Sequence, residues 1–293
     1  MQLKGIITAM VTPFDENQNI NQDATQKLIN KLISKGVNGI FILGTNGEFH
    51  VLNDDEKIAF AEMVIKVVNK RVPVYVGTGG NSTKHVIELS KRMEKVGADA
   101  LSIITPFLVP IKQNELVDHY KCIAANVNMP IVLYNIPKNT GINITSESVC
   151  ELARIENIIG IKDSSGDISN IEAYINASKG EKFAVLSGSD SLILKALQIG
   201  AVGAIAATSN LLTDIDVAIY QNFINGDFVQ AQKNQDAIEK LRAVLKLGTI
   251  PSVIKRAVTL SGINVGAARF PVSAVNLEID EKIQETLTYY NLH

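Results

Sequence analysis

The sequence predicts an α/β fold, a TIM (β/α)8 barrel carrying a C-terminal helical extension. Short β-branched runs alternate with longer amphipathic stretches from near the N-terminus to about residue 225, the rhythm of βα units and a parallel sheet. The runs number eight, which suits a closed barrel better than a doubly wound sheet. The first of them passes into Thr12-Pro13-Phe14, with none of the Gly-rich phosphate turn that opens a dinucleotide-binding sheet.

In chain order, the run at 5–11 is followed by a helical pattern at 22–35, and the run at 39–43 by one at 54–68. The lead-in Asn53-Asp54-Asp55-Glu56 puts carboxylates in a first turn, where the helix dipole favours them. Strand-like 74–77 precedes helical 83–96, and 100–104 precedes 113–125. The later pairs are 131–134 with 146–152, 158–162 with 168–178, and 184–187 with 191–199, and the run at 202–206 comes last. Turn or capping residues flank each helical pattern. Three more helical patterns, at 228–247, 253–261 and 281–290, contain no strand signal. Residues 1–225 are therefore expected to form the barrel domain and 226–293 the extension, with no Gly/Ser/Pro-rich linker between them.

Composition bounds the function. With 293 residues, 46% of them hydrophobic, and a net charge of −2, the chain has ample core and no basic surplus for nucleic acid or an anionic membrane. No apolar run approaches the roughly 18 residues of a spanning helix, and Met1-Gln2-Leu3-Lys4-Gly5 does not open a signal peptide, so a cytoplasmic location is expected. Cys122 and Cys150 read as buried small hydrophobes. His50, His85, His119 and His293 show no ligand spacing, so no metal site is expected.

The chemistry is concentrated at strand ends. Lys162 ends the apolar run beginning at Ile158, one strand-plus-helix unit after Tyr134, which closes Pro130-Ile131-Val132-Leu133. A lysine is rarely taken out of water unless it is paired or used, and desolvation favours the free amine that attacks a ketone. An amine and a phenol at the ends of successive buried strands suit carbonyl chemistry through a Schiff base. Active sites of this fold lie at the C-terminal ends of the strands, and other polar residues fall there too. Gly44-Thr45-Asn46-Gly47-Glu48 follows the second strand, Ser187-Gly188-Ser189-Asp190 the seventh and Thr208-Ser209-Asn210 the eighth. Each could serve merely as a turn or a helix cap, but their coincidence on one rim points to a site. Gly77-Thr78-Gly79-Gly80 lacks a dinucleotide fingerprint and is given only a structural role or one in support of the residues that touch the substrate.

Taken in order, Gly44-Thr45-Asn46-Gly47-Glu48, Tyr134-Asn135-Ile136-Pro137 with Thr140-Gly141, Gly160-Ile161-Lys162-Asp163 and Ser187-Gly188-Ser189-Asp190 carry a resemblance across essentially the whole chain. It resembles the N-acetylneuraminate lyase / dihydrodipicolinate synthase family of pyruvate-handling class I aldolases. The resemblance implies that Lys162 forms a covalent imine with pyruvate or another 2-keto acid, with no further cofactor, and that Tyr134 shuttles a proton. It also implies that Thr45, Asn46 and Gly47 hold the pyruvate carboxylate, with a backbone contact from Ile205. A phenol needs assistance to act as a base near neutral pH, and Thr45 is the expected relay.

Two departures bear on the substrate. The synthases carry a tyrosine pair where this chain has Phe107 and Leu108, and an arginine where it has Asn139, which cannot replace a bidentate guanidinium. Neighbouring Lys138 offers only a point charge. Asp190 matches an acidic residue that binds the polyol tail in the sialic acid lyases, but the glutamate after it is Ser191 here. The expected reaction is reversible cleavage of a 2-keto-3-deoxy sugar acid to pyruvate and an aldehyde, with Ser189, Asp190 and Ser209 contacting hydroxyls. The alternatives are condensation of pyruvate with aspartate semialdehyde, N-acetylneuraminate cleavage, a dehydratase using the same imine, and a binding protein that kept the pocket. The family resemblance implies a homo-oligomer, tetramer or dimer, in which Phe107-Leu108-Val109-Pro110 would suit a subunit contact. Packing of that segment within its own rim is the other reading.

Overall fold

A computed structural model describes residues 3–292. Eight parallel strands close into a barrel in sequence order: β1 (Gly5–Ala9), β2 (Gly39–Ile42), β3 (Val74–Gly77), β4 (Ala100–Ile104), β5 (Ile131–Asn135), β6 (Ile158–Asp163), β7 (Ala184–Ser187) and β8 (Gly203–Ala206). β8 closes on β1 with Ile205 opposite Ile7. Around them run α1 (Gln22–Ser34), α2 (Asp54–Val68), α3 (Thr83–Lys95), α4 (Gln113–Ala124), the short α5 (Pro137–Thr140), α6 (Ser146–Leu152), α7 (Ile168–Ala177), α8 (Ile193–Gln198) and α9 (Thr213–Ile224). The tail forms α10 (Phe228–Ala237), α11 (Glu239–Leu245), α12 (Ser252–Leu260) and α13 (Leu277–Tyr289).

Alternation along the strands separates two cores. One set of side chains, including Leu3, Ile7, Phe41, Tyr75, Val132, Leu186 and Ile205, fills the barrel interior. The other set, including Ile6, Ile40, Val76, Ile103, Leu133 and Ile161, packs outward against the helices. The outer cluster runs on without a break into Ala231, Ile238, Leu241 and Val253, so the extension shares the apolar core of the barrel helices.

Helix starts follow the capping chemistry. Asn53 accepts from the Glu56 N–H while the Glu56 carboxylate accepts from the Asn53 N–H, a reciprocal box at the head of α2. Asn21, Ser82, Thr145 and Asp167 accept from the first turns of α1, α3, α6 and α7.

Several sequence expectations need correction. The helical pattern at 228–247 is two helices that meet at Ile238, and α13 begins at Leu277, four residues before 281. Cys122 is exposed and Cys150 only half-buried, against the expectation of buried thiols. On α4 the inward stripe is Leu116, His119, Tyr120 and Ile123, which turns Cys122 outward. Among the described residues no group of three His, Cys, Asp or Glu could hold a metal ion, and His293 lies outside them. Among the described residues no helix is long and apolar enough to cross a membrane.

Candidate active site

Parallel pairing of β5 with β6 sets Tyr134 directly opposite Lys162. Both side chains point into the barrel at its C-terminal end, and both are buried, at 4% exposure each. Lys162 Nζ lies over the Tyr134 ring, 4.1 Å from its centroid, and 4.9 Å from the centroid of Phe41. The Phe41 ring meets the Tyr134 ring edge to face at 6.3 Å. The amine therefore stands in an aromatic cleft, and none of the ion pairs among the described residues includes it. The Thr45 hydroxyl comes within 3.3 Å of the Tyr134 hydroxyl, so the structure joins all three expected catalytic residues.

Behind this pair is a buried polar brace that sequence reasoning left without a role. Asn135 Nδ2 donates to Asp163 Oδ1 at 2.7 Å and to Asn143 Oδ1 at 2.7 Å, and Asn170 Nδ2 donates to Asp163 at 2.9 Å. Asn135 and Asp163 are the next residues after Tyr134 and Lys162 on the same strands, so the brace clamps the two strand ends together. Burial pushes the Asp163 carboxyl up, although its hydrogen bonds to Asn135, Ser165 and Asn170 oppose that shift. Position 188 requires glycine: a Cβ there would sit 2.9 Å from Lys162 Cε and 2.1 Å from Ser164 Oγ. Gly77 fills the structural role expected of it, since a Cβ would meet the Leu43 carbonyl oxygen at 2.0 Å.

The Gly44–Glu48 loop is tightly determined. The Phe49 N–H donates to the Gly44 carbonyl, and the Thr12 hydroxyl donates to the Gly47 carbonyl at 2.7 Å. Among the described residues, the N–H groups of Thr45 and Asn46 donate to no protein acceptor. Glu48 is buried and in the left-handed region at φ 58°. Its carboxylate is gripped by Lys255 Nζ at 2.8 Å and by the Arg269 N–H at 2.8 Å. Lys255 is fully buried, and burial pulls its ammonium down to about 8 although Glu48 opposes the change. These partners lie more than 200 residues apart, a distance that no local pattern in the sequence spans.

The remaining expected site residues divide. Ile205 is buried in the barrel interior. Ser189 is half-buried, and its hydroxyl has no protein partner among the described residues. Asn139 is exposed on α5. Ser209 is fully buried, and its hydroxyl donates to Thr8 Oγ1 at 2.9 Å and to the Ala206 carbonyl at 3.0 Å, which removes it from the mouth. Asp190 accepts from the N–H groups of Ala207 and Thr208 at 3.1 and 3.0 Å, and so ties the loop after β7 to the loop after β8. Ser102, absent from the sequence expectations, lines the cavity beside Tyr134, Phe49 and Gly44 with a buried, unpartnered hydroxyl. A roomier cavity of about 370 Å³ lies between α12 and α13 and shares no residue with this site. Its principal charges, Arg256 and Asp280, are already paired with each other.

The chain matches the profile of the Dihydrodipicolinate synthetase family over residues 2–290. It is 36% identical over 284 residues to 4-hydroxy-tetrahydrodipicolinate synthase 1 of Halalkalibacterium halodurans, covering 97% of this chain and 96% of the relative. Among solved structures, it is similar to a dihydrodipicolinate synthase of Bacillus anthracis with TM-score 0.95 and 35% identity, covering 98% of each chain. YagE, a prophage protein of E. coli K12 solved in complex with pyruvate, matches with TM-score 0.95 and 31% identity over 100% of both chains. A match of this length at these identities makes the chain a member of the dihydrodipicolinate synthetase family, whose enzymes are pyruvate-dependent class I aldolases of the carbon–carbon lyase type.

Proposed function

We propose that Lys162 forms the imine with pyruvate and that Tyr134, relayed by Thr45, moves the protons of that chemistry. The observation that carries this reading is the register pair Tyr134–Lys162, with the Thr45 hydroxyl 3.3 Å from the phenol. Attack of the Lys162 amine on the keto carbon expels water and leaves a protonated imine. Loss of a methyl proton then gives an enamine, with the imine nitrogen as electron sink. The enamine carbon attacks an aldehyde, a carbon–carbon bond forms, and the new alkoxide takes a proton. Run backwards, the same steps release pyruvate.

The first aldehyde to test is aspartate semialdehyde, which would make the chain a 4-hydroxy-tetrahydrodipicolinate synthase like its curated relatives. There the substrate's own amine attacks the imine carbon, closing a ring and freeing Lys162. A second reading, retro-aldol cleavage of a 2-keto-3-deoxy sugar acid, is favoured by one local observation. Asn139 brings no cation to the rim for a second carboxylate, and its sequence neighbour, exposed Lys138, offers only a point charge.

Two assays on one preparation separate these readings. Condensation of pyruvate with aspartate semialdehyde, lost in Lys162→Ala, supports the synthase. Pyruvate release from 2-keto-3-deoxy sugar acids without that condensation supports cleavage. Failure of borohydride to trap pyruvate on Lys162 overturns both. For assembly, exposed Leu108 and Val109, at 87% and 66%, fit a contact with a second copy rather than packing on their own rim. A monomer by sedimentation would sink that part.

A further inference from the structure

We propose that Lys255 and Glu48 are a positioning pair, through which the C-terminal extension sets the Gly44–Glu48 loop and thereby places Thr45 and the carboxylate-binding N–H groups. The role assigned to Thr45 rests on the imine reading above; the structural coupling does not.

Lys255 projects from α12 with no exposed surface and spends its ammonium on two loops at once. One bond, of 2.9 Å, goes to the Thr12 carbonyl after β1, and the other, of 2.8 Å, goes to Glu48 Oε1 after β2. The Phe14 ring lies 4.2 Å from the same nitrogen, so it is enclosed by an aromatic face as well. Thr12 closes a circuit, because its hydroxyl donates to the Gly47 carbonyl at 2.7 Å. Glu48 Oε2 accepts from the Arg269 N–H, and the Arg269 side chain reaches on to the carbonyls of Gln18 and Val51 and to the carboxylate of Glu56. The Glu48 end of the loop is thus held directly by residues of the extension, and its Gly47 carbonyl through Thr12, whose own carbonyl Lys255 binds.

Stability alone does not account for this arrangement. A buried ion pair gains little over apolar residues of the same volume, so its retention calls for another reason. Glu48 is also held at φ 58°, a region costly for a side chain bearing a Cβ. Three residues earlier stands Thr45, whose hydroxyl touches Tyr134. A rotation of Glu48 toward ordinary backbone angles would carry the turn, and Thr45 with it, away from the phenol.

The test compares three variants of the full chain: E48Q, K255M and the double variant E48Q/K255M, which leaves no buried charge unpaired. Amide exchange of residues 44–48 is expected to quicken by about 10-fold or more in every variant that folds. The KM for pyruvate is expected to rise about 10-fold in each. The double variant should recover thermal stability lost in K255M without recovering KM. A purely structural pair predicts the reverse, with KM and exchange returning along with stability. E48Q keeps shape and an acceptor for Lys255, so it remains informative if K255M does not fold. Wild-type exchange across 44–48 in E48Q would overturn the proposal whatever reaction the site performs. Absence of a pyruvate imine in the unmutated protein would instead overturn the function proposed above.

Discussion

Gly188→Ala tests whether the lysine's position, beyond its presence, controls the chemistry. An alanine Cβ at 188 would lie 2.9 Å from Lys162 Cε, 2.1 Å from Ser164 Oγ and 3.0 Å from the Asp163 carbonyl oxygen. The serine can rotate away. The Asp163 carbonyl cannot, since it accepts the Gly188 N–H at 2.6 Å within the β6–β7 junction. Carbon–carbon contact is comfortable at about 3.5 Å, so Cε must retreat by about 0.6 Å and Nζ, one bond beyond, by about 1 Å. A misplacement of about 1 Å costs about 100-fold in rate, equivalent to about 2.7 kcal/mol of barrier. Overpacking of this kind costs about 1–3 kcal/mol of stability, which a chain of this size survives folded. The assay is the rate at which borohydride fixes pyruvate onto the protein, read by intact mass, with the modified peptide sequenced. Trapping about 100-fold slower at Lys162, in a protein with native circular dichroism, is the expected result. Trapping at the native rate in folded Gly188→Ala would refute the claim that this glycine makes room for the amine.

Further outcomes follow from the same geometry. Tyr134→Phe should lower turnover by about 10²- to 10⁴-fold, and Thr45→Val by about 10-fold, with the double variant no worse than Tyr134→Phe because the two act in one relay; additive losses in steady-state kinetics would separate them. Asn139→Arg should raise kcat/KM for aspartate semialdehyde about 10-fold while leaving sugar-acid cleavage unchanged or poorer, and equal effects on both would remove position 139 from acceptor recognition. His119 is buried and pulled from 6.5 down to about 4 by desolvation, so between those pH values the unfolded chain binds a proton that the folded one excludes. Stability should therefore fall by about 3 kcal/mol as pH drops from 6.5 to 4, and His119→Gln should flatten that limb in urea titrations followed against pH.

The barrel is legible because each strand is a short buried run and side-chain caps mark the starts of α1, α2, α3, α6 and α7. Three of the eight strands, β3, β4 and β7, sit where the apolar pattern puts them, and β2, β5, β6 and β8 differ by one residue at one end. Helix α9 gave no clear stripe because two of its inward positions, Thr213 and Asp216, are polar, and Asp216 finds its partner in the Thr208 hydroxyl. The start of α13 was hidden in the same way: Leu277 is 83% exposed, and the inward stripe begins only at Ile283. In the site, the sequence places Lys162, Tyr134 and Thr45 at strand ends, where the fold brings them together. Ser209 and Asp190, read from the sequence as hydroxyl contacts, have protein partners in the fold, because a polar residue at a strand end satisfies another protein group as readily as a ligand. Lys255 could not have been found from the sequence, where it is one cation in an amphipathic helix. Its meaning comes from a fold that brings α12 over the loops of β1 and β2.

The pairing of Tyr134 with Lys162 across β5 and β6 separates two kinds of inheritance in this molecule. The register that sets amine opposite phenol is fixed by backbone pairing inside a closed barrel. Residues expected to meet the aldehyde, such as Ser189 and Asn139, stand on rim segments instead. If the proposed roles hold, a few changes in the rim can exchange one acceptor for another while the strand register that carries the pyruvate chemistry stays as it is.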